Sequence, residues 1–178
     1  MKQLLLFTAI VFLATAMHAM PSKILVYGYV EEGNLDALFG NKRSFPTRLD
    51  DVHITISCDG EILNEKVNRT SGFYSFVLTP GKKYSVSFSA EGFFPKCVDF
   101  NTIEAPLGEQ ESSFKMFTDI MLFERIPIED DSIFTKAAMA KCEFDPTKNR
   151  MVWDMNYAKI AFDHFMRITG YEKDFITQ

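Results

Sequence analysis

Apolar and polar residues alternate through most of the chain between residues 24 and 123. The clearest case is Val52 to Cys58, where every second residue is apolar and the residues between them are mostly polar. Side chains two positions apart on a strand share a face, so this pattern predicts a strand with one buried face. Similar patterns predict seven strands, at residues 24–30, 52–58, 61–68, 73–79, 84–89, 98–100 and 114–123.

Turn residues separate these strands at regular intervals. Asp59-Gly60 and Pro80-Gly81 are strong turn signals, because proline presets its own φ at the first central position and glycine accepts a positive φ at the second. Gly92 interrupts a further apolar run. Short, evenly spaced strands without an intervening helical period predict a mainly β fold, a β-sandwich.

The chain changes character after Arg125. Residues 126–131 have the composition of an extended linker, and residues 141–144 and 150–153 flank a turn typical of a β-hairpin. Asp154 is a suitable N-cap for a helix over residues 155–169, which Gly170 would end. The helix carries an apolar stripe that must be buried, on its own sandwich or on another subunit. Its residues are Tyr157, Ile160, Ala161, His164, Phe165 and Ile168.

The first residues form a secretory signal peptide. Lys2 precedes an apolar run from Leu4 to Leu13, and small residues then predict cleavage after Ala16 or Ala19. The apolar run falls short of the ~20 residues needed to span a bilayer, so we expect an exported protein that does not span the membrane. The sequence leaves open whether its location is periplasmic or extracellular.

Charge and cysteine content narrow the chemistry. The formal net charge is −5, which gives no electrostatic basis for binding nucleic acid or anionic lipid. Cys58 and Cys97 alternate on opposite strand faces, which disfavours a disulfide between them. Together with Cys142 they are expected to be free thiols, although the sequence does not decide their disulfide state.

Residues 70–78, 80–88 and 91–96 resemble the carboxypeptidase regulatory-like domain. This family occurs in exported proteins of Bacteroidetes-type bacteria and has a transthyretin-like (prealbumin-like), seven-stranded Greek-key sandwich. The resemblance covers residues 23–123 and implies a fold more than a function. It divides the chain into a signal peptide (1–19), the sandwich (23–123) and a C-terminal extension (124–178) with a hairpin and an α-helix.

One departure from the family is the connection at residues 31–51, which is long where family members have a short one. Loops of this length in compact domains are functional or disordered, and the sequence leaves both open. This loop brings basic and aromatic residues together. They are Phe39, Lys42, Arg43, Phe45 and Arg48.

No reactive constellation accompanies this fold. Beyond the signal peptide the only histidines are His53, on an outward strand position, and His164, in the helix stripe, and neither belongs to a metal-binding motif. Acidic pairs such as Asp50-Asp51 are weak calcium candidates. We therefore predict a protein that is not an enzyme and has no cofactor or metal.

Two functions remain. The first is docking onto an envelope protein or complex. The second is carbohydrate binding as an accessory to a polysaccharide-handling system, for which Tyr27 and Tyr29 or the pair at 93–94 are candidate platforms. The candidate partner-binding residues are Phe39, Lys42, Arg43, Phe45, Arg48, Phe93, Phe94 and Trp153. The sequence identifies neither the partner nor the oligomeric state.

Overall fold

The structure, a computed structural model, describes residues 22–33, 46–68, 71–107, 113–128 and 133–170. Ten strands and two helices follow one another along these residues. They are β1 (Lys23–Glu32), β2 (Val52–Cys58), β3 (Glu61–Asn68), β4 (Phe73–Leu78), β5 (Lys83–Ser89), β6 (Lys96–Asn101), β7 (Ser113–Phe117), β8 (Ile120–Leu122), α1 (Ile133–Lys136), β9 (Ala140–Asp145), β10 (Arg150–Trp153) and α2 (Met155–Thr169).

The strands form two sheets, which confirms the mainly β, sandwich-like architecture. The smaller sheet has the order β4-β1-β7, with β8 also paired to β1. The larger has the order β10-β9-β6-β5-β2-β3. Alternation explains the packing, because the inward residues of neighbouring strands lie side by side and form one hydrophobic core. Ile54 lies opposite Phe88, and Val86 opposite Val98, all fully buried.

The predicted last strand of the sandwich is two strands. β7 and β8 both run parallel to β1, and they are separated at Thr118 and Asp119. The Asp119 side chain accepts a hydrogen bond from the backbone nitrogen of Tyr29 (2.9 Å), and the backbone nitrogen of Thr118 donates to the Tyr27 carbonyl (2.9 Å). These bonds join the break to β1, so the sheet continues across it.

The predicted C-terminal hairpin is present, but it extends the larger sheet. β9 pairs antiparallel with β10 and parallel with β6. Cys142, Phe144 and Met151 therefore belong to the main core. Parallel pairing needs a long crossover, and residues 102–139 supply it. The extension thus completes the core of the sandwich.

Helix α2 has the predicted ends. The Asp154 side chain accepts from the Tyr157 backbone nitrogen (2.9 Å), and Gly170 ends the helix with φ 75°. The predicted stripe is partly wrong: Ile160 is 69% exposed and His164 is only half-buried, whereas Phe165, Met166 and Thr169 are buried. The buried face is rotated toward Phe162 and Met166 because the helix packs on a second, aromatic core.

That second core lies where the helix meets the sandwich. Its fully buried members are Phe94, Phe134, Phe165 and Met166, with Phe123, Phe162 and Met139 among those packed around them. The helix therefore packs on its own chain, which resolves an alternative that the sequence left open.

The three cysteines are free and buried. Cys58 faces the main core, whereas Cys97 lies on the opposite side of the sheet, where Ser85 Oγ is 2.9 Å from its sulfur. Burial raises the pKa of the Cys142 thiol to about 12, so that thiol stays neutral. No helix within the described ranges is long and apolar enough to cross a membrane.

The β9–β10 turn depends on one carboxylate. Asp145 accepts from Thr147 Oγ1 (2.5 Å) and from the backbone nitrogens of Thr147 (2.9 Å) and Lys148 (3.1 Å), and it forms an ion pair with Lys148 (2.8 Å). Bonding to the Lys148 and Thr147 side chains lowers the pKa of Asp145 well below its usual range, and smaller backbone contributions act the same way.

We expect Asp145→Ala to be less stable than the wild type at pH 7. A depressed folded-state pKa contributes stability that is present above about pH 4, the unfolded value, and is lost as the pH falls toward the folded value. The gap between the urea midpoints of the two proteins should therefore narrow progressively below about pH 4. A gap that is constant from pH 7 to pH 2 would contradict this role of the carboxylate.

Candidate functional site

The outward side of the smaller sheet is unusually apolar. Strand register places Leu25 beside Val77, Tyr27 beside Phe117, and Tyr29 beside Phe73. These residues share one parity, opposite to that of the core, so they lie together on one surface. We call this surface the aromatic face; it consists of Leu25, Tyr27, Tyr29, Phe73, Val77 and Phe117.

Three members of the aromatic face are well exposed. The exposed fractions are 45% for Phe73 and 55% for both Val77 and Phe117, while the two tyrosines are half-buried between them. Aromatic pairs across strands stabilise a sheet. Stabilising the sheet does not require three exposed apolar side chains around two tyrosines. Contiguous exposed apolar surface of this kind is typical of an interaction site.

The rings of the aromatic face meet edge to face. Tyr27 and Phe117 have centroids 5.5 Å apart and planes at 68°, and Tyr29 and Phe73 have centroids 5.6 Å apart and planes at 66°. The guanidinium carbon of Arg48 lies 3.6 Å from the centre of the Tyr29 ring and so covers one face of it. The surface is therefore corrugated, without two coplanar rings side by side.

Charged groups border one end of the aromatic face. The backbone at Arg48 forms an isolated antiparallel β-bridge with Glu31 near the end of β1. The Asp119 side chain accepts a hydrogen bond from the Tyr29 backbone nitrogen. Burial and then repulsion from Asp119 raise the pKa of Glu31, while Arg48 acts in the opposite direction. The apolar centre with charged residues at its end has the layout of a protein interface, with a dry core and a polar rim.

The outer strand β3, in contrast, is protected against pairing. Its ladder with β2 contains a bulge at Ile56/Ser57. Lys66 is placed with inward parity; its Nζ lies 5.7 Å from the Phe76 ring centre and donates to the Ser75 carbonyl on β4. Burial lowers the pKa of Lys66. A bulge and an inward-pointing lysine are recognised means of blocking edge-to-edge association, so β3 is a poor docking edge.

A groove lies on the opposite side of the sandwich, between β7 and β10. Its volume is about 530 Å³, and its lining includes Trp153, Met155, Phe117 and the basic residues Lys115 and Arg150. Within the described residues β7 pairs with β1 alone, and β10 pairs with β9 alone. Each of these two strands therefore leaves one unpaired backbone edge toward this groove. Phe117 is common to the groove and the aromatic face, and the two surfaces are continuous there.

The outer side of the larger sheet is polar. Ser57, Ser85, Asp99 and Lys141 lie in register across four strands and line a cleft of about 390 Å³. Ser85 Oγ donates to Asp99 (3.0 Å), and Lys141 Nζ lies 4.0 Å from the Tyr157 ring centre. These side chains are largely satisfied by one another, and no histidine stands among the lining residues to act as a base.

The predicted partner-binding residues do not form one site. Phe94 is 3% exposed in the second core, which contradicts its proposed surface role, and Phe93 is half-buried against the main core. Both are drawn inward because the chain at Gly92 to Phe94 pairs with residues 123–125. Trp153 is half-buried, 6.2 Å from Phe100, and reaches the groove. Arg48 is exposed at the aromatic face.

The four loop candidates Phe39, Lys42, Arg43 and Phe45 lie outside the described residues. Sequence reasoning also missed four members of the aromatic face, Leu25, Phe73, Val77 and Phe117, as candidate binding residues. The signal that identifies them is parity, because Tyr74, Phe76 and Met116 face inward and their neighbours must face outward.

Metal-ligating side chains and the Cys97 thiol were the remaining features of the described residues that could carry chemistry. No group of three His, Cys, Asp or Glu side chains there is placed to hold a metal ion. Burial raises the pKa of Cys97, which keeps the thiol protonated and unreactive, although its bond with Ser85 opposes that shift.

Comparison with known proteins gives little guidance. No family model matches the chain, and no curated protein matches it. Among solved structures it is similar to chlorocatechol 1,2-dioxygenase from Pseudomonas putida, at 12% identity and a TM-score of 0.37, over 62% of this chain and 64% of that one.

A second similar structure is S.CueP, at 13% identity and a TM-score of 0.34, over 60% of this chain and 65% of that one. The chain thus spans just under two thirds of each of these structures. At such TM-scores neither similarity bears on the activity of this protein.

Proposed function

We propose that the protein is an exported, non-catalytic module that docks onto a partner protein of the cell envelope through the aromatic face. In this proposal residues 1–19 are a cleaved signal peptide, and the sandwich belongs to the carboxypeptidase regulatory-like family, with a transthyretin-like topology. The observation that carries the docking function is the contiguous exposed set Phe73, Val77 and Phe117, arranged around Tyr27 and Tyr29.

The chemistry of this surface favours a protein partner. Aromatic and arginine side chains are enriched at the centre of protein interfaces, and here Arg48 is already stacked on Tyr29. The rings are fixed by the strand register, so little conformational freedom is lost when a partner binds. The protected edge of β3 makes pairing along that strand a poor alternative to this face.

Carbohydrate binding is the alternative, and one observation favours it: Tyr27 and Tyr29 both belong to an exposed aromatic surface. Sugars stack on open ring faces, however, and the two aromatic pairs are inclined at 68° and 66°. Arg48 also covers a face of Tyr29. For this reason we rank protein docking first.

The test is a comparison of two surface variants. Phe73→Ser/Phe117→Ser removes the most exposed rings of the aromatic face. Ile62→Ser/Val67→Ser makes a matched change at exposed apolar positions of β3. The partner is first identified by crosslinking the exported protein in its native envelope. The affinity of the purified partner is then measured for each protein. N-terminal sequencing of the exported protein tests the export step, because cleavage of the signal peptide would leave Met17 or Met20 as the first residue.

We expect the aromatic-face variant to bind the partner at least about tenfold more weakly, because central aromatic residues dominate interface energies. The β3 variant should bind as the wild type does. Equal binding by both variants would overturn the assignment of this face. Retention of the wild type on a polysaccharide, lost in the aromatic-face variant, would instead establish the carbohydrate alternative.

A further inference from the structure

A small apolar cavity lies between the sandwich and helix α2. Its volume is about 200 Å³, and it is separate from the aromatic face and the groove. Five of its lining residues are phenylalanines, namely Phe94, Phe123, Phe134, Phe162 and Phe165. An apolar cavity of about 150 Å³ is known to hold a benzene-sized molecule, so this one has room for a ring with a short substituent.

One cation lines this otherwise apolar space. Lys96 begins β6, where its register with Phe88 gives it the inward parity of Val98 and Phe100. It is the sole charged residue among the described residues that line the cavity. Its ammonium makes no hydrogen bond or ion pair with any residue that the structure describes. Lys96 as a whole is half-buried, and desolvation of its ammonium lowers its pKa to about 8.

Such an arrangement is costly unless something compensates it. A cation that is partly desolvated and has no described counter-charge loses part of its hydration and gains no Coulombic attraction in return. The apolar side chains Met and Leu, which fill similar positions elsewhere in this core, would avoid that cost. A lysine at the wall of an apolar cavity therefore indicates a ligand that is apolar over most of its surface and carries one negative charge.

We propose that this cavity binds a small carboxylic acid with an aromatic or branched apolar body, with its carboxylate paired to Lys96. The apolar body would lie against the phenylalanine rings, and a charge-assisted hydrogen bond would orient the acid. Because Phe162 and Phe165 belong to helix α2, an occupied cavity also ties the helix to the sandwich. This inference is independent of the docking proposal, since it uses none of the same residues.

The probe for the test is phenylacetate, with uncharged phenylacetamide as the matched ligand without the charge. Binding of each is measured by calorimetry and by NMR titration of the full mature protein. Lys96→Met keeps the length and packing of the side chain and removes the amine. Lys159→Met is the control, because Lys159 lies on the exposed side of α2 in an ion pair with Asp163 (2.9 Å).

We expect the wild type and Lys159→Met to bind phenylacetate at least about tenfold more tightly than phenylacetamide, the scale of a charge-assisted hydrogen bond. Lys96→Met should lose this preference while remaining folded, because methionine suits an apolar cavity. At about pH 8.5 the wild type should take up a proton on binding, since the carboxylate raises the pKa of the amine back toward its ordinary value.

Three results would overturn the proposal. One is the absence of saturable phenylacetate binding to the wild type. Another is a preference for the acid that persists in Lys96→Met. The third is titration of Lys96 near its ordinary pKa in the free protein, measured by NMR of the lysine side chain, which would show that water or a counter-charge already compensates the amine.

Discussion

Replacement of Gly28 by alanine is expected to destabilise the protein by about 3 kcal/mol, at the upper end for overpacking of a core. A β-carbon at this position would lie 1.8 Å from the Thr118 carbonyl oxygen, a backbone atom that cannot move aside alone. The same oxygen accepts a hydrogen bond from the Tyr74 hydroxyl (2.8 Å). Burial, and then Asp119, raise the pKa of Tyr74, so its hydroxyl remains a donor.

The destabilisation expected for Gly28→Ala is steric, which distinguishes it from the backbone penalty of replacing a glycine that has a positive φ. Gly60 has a φ of 86°, and a β-carbon there would meet no atom within 4 Å. Gly60→Ala should therefore cost only about 1 kcal/mol, the penalty of a left-handed backbone for an L-residue. Urea denaturation of both variants measures the difference. Equal losses would mean that the Thr118 carbonyl does not lie against Gly28.

The contact between the Thr118 carbonyl and Gly28 illustrates what the sequence can and cannot predict. Alternation predicts the strands because each has one buried face, and this signal is local. Nothing local reports that β7 and β8 share β1 as a partner, or that Asp119 bridges their break through the Tyr29 backbone. The same limit applies to β9, whose parallel pairing with β6 joins residues some forty positions apart in the chain.

The aromatic face likewise depends partly on local sequence signals and partly on long-range strand pairing. Parity can identify the outward residues of each strand, whereas Tyr27 and Tyr29 were named only as a candidate carbohydrate platform. Only the order of the strands places Phe73 and Phe117 on either side of them. Phe94 was assigned to the surface wrongly, since a phenylalanine beside a glycine turn is typical both of an exposed platform and of a second core. The choice between these depended on where helix α2 packs.

Phe165→Ala is expected to cost about 3–5 kcal/mol of stability, as for other large aromatic residues removed from a core. Its ring centre lies 5.0 Å from that of Phe123, 5.5 Å from that of Phe134 and 5.9 Å from that of Phe94. Truncation would therefore remove the ring around which the second core is built. Hydrogen exchange should then accelerate along α2 more than in the strands of the main core, because the helix depends on this cluster for its attachment.

The matched substitution is Ile160→Ala, five residues earlier on the same helix. The apolar stripe read from the sequence places Ile160 and Phe165 on one buried face and so predicts a loss of about 2–5 kcal/mol for either. The structure leaves Ile160 exposed, and its truncation should then change stability by no more than about 0.5 kcal/mol. Urea midpoints of the two variants decide between these orientations. A large loss for Ile160→Ala with a small one for Phe165→Ala would mean that the helix is rotated and that the aromatic cavity beside it does not exist.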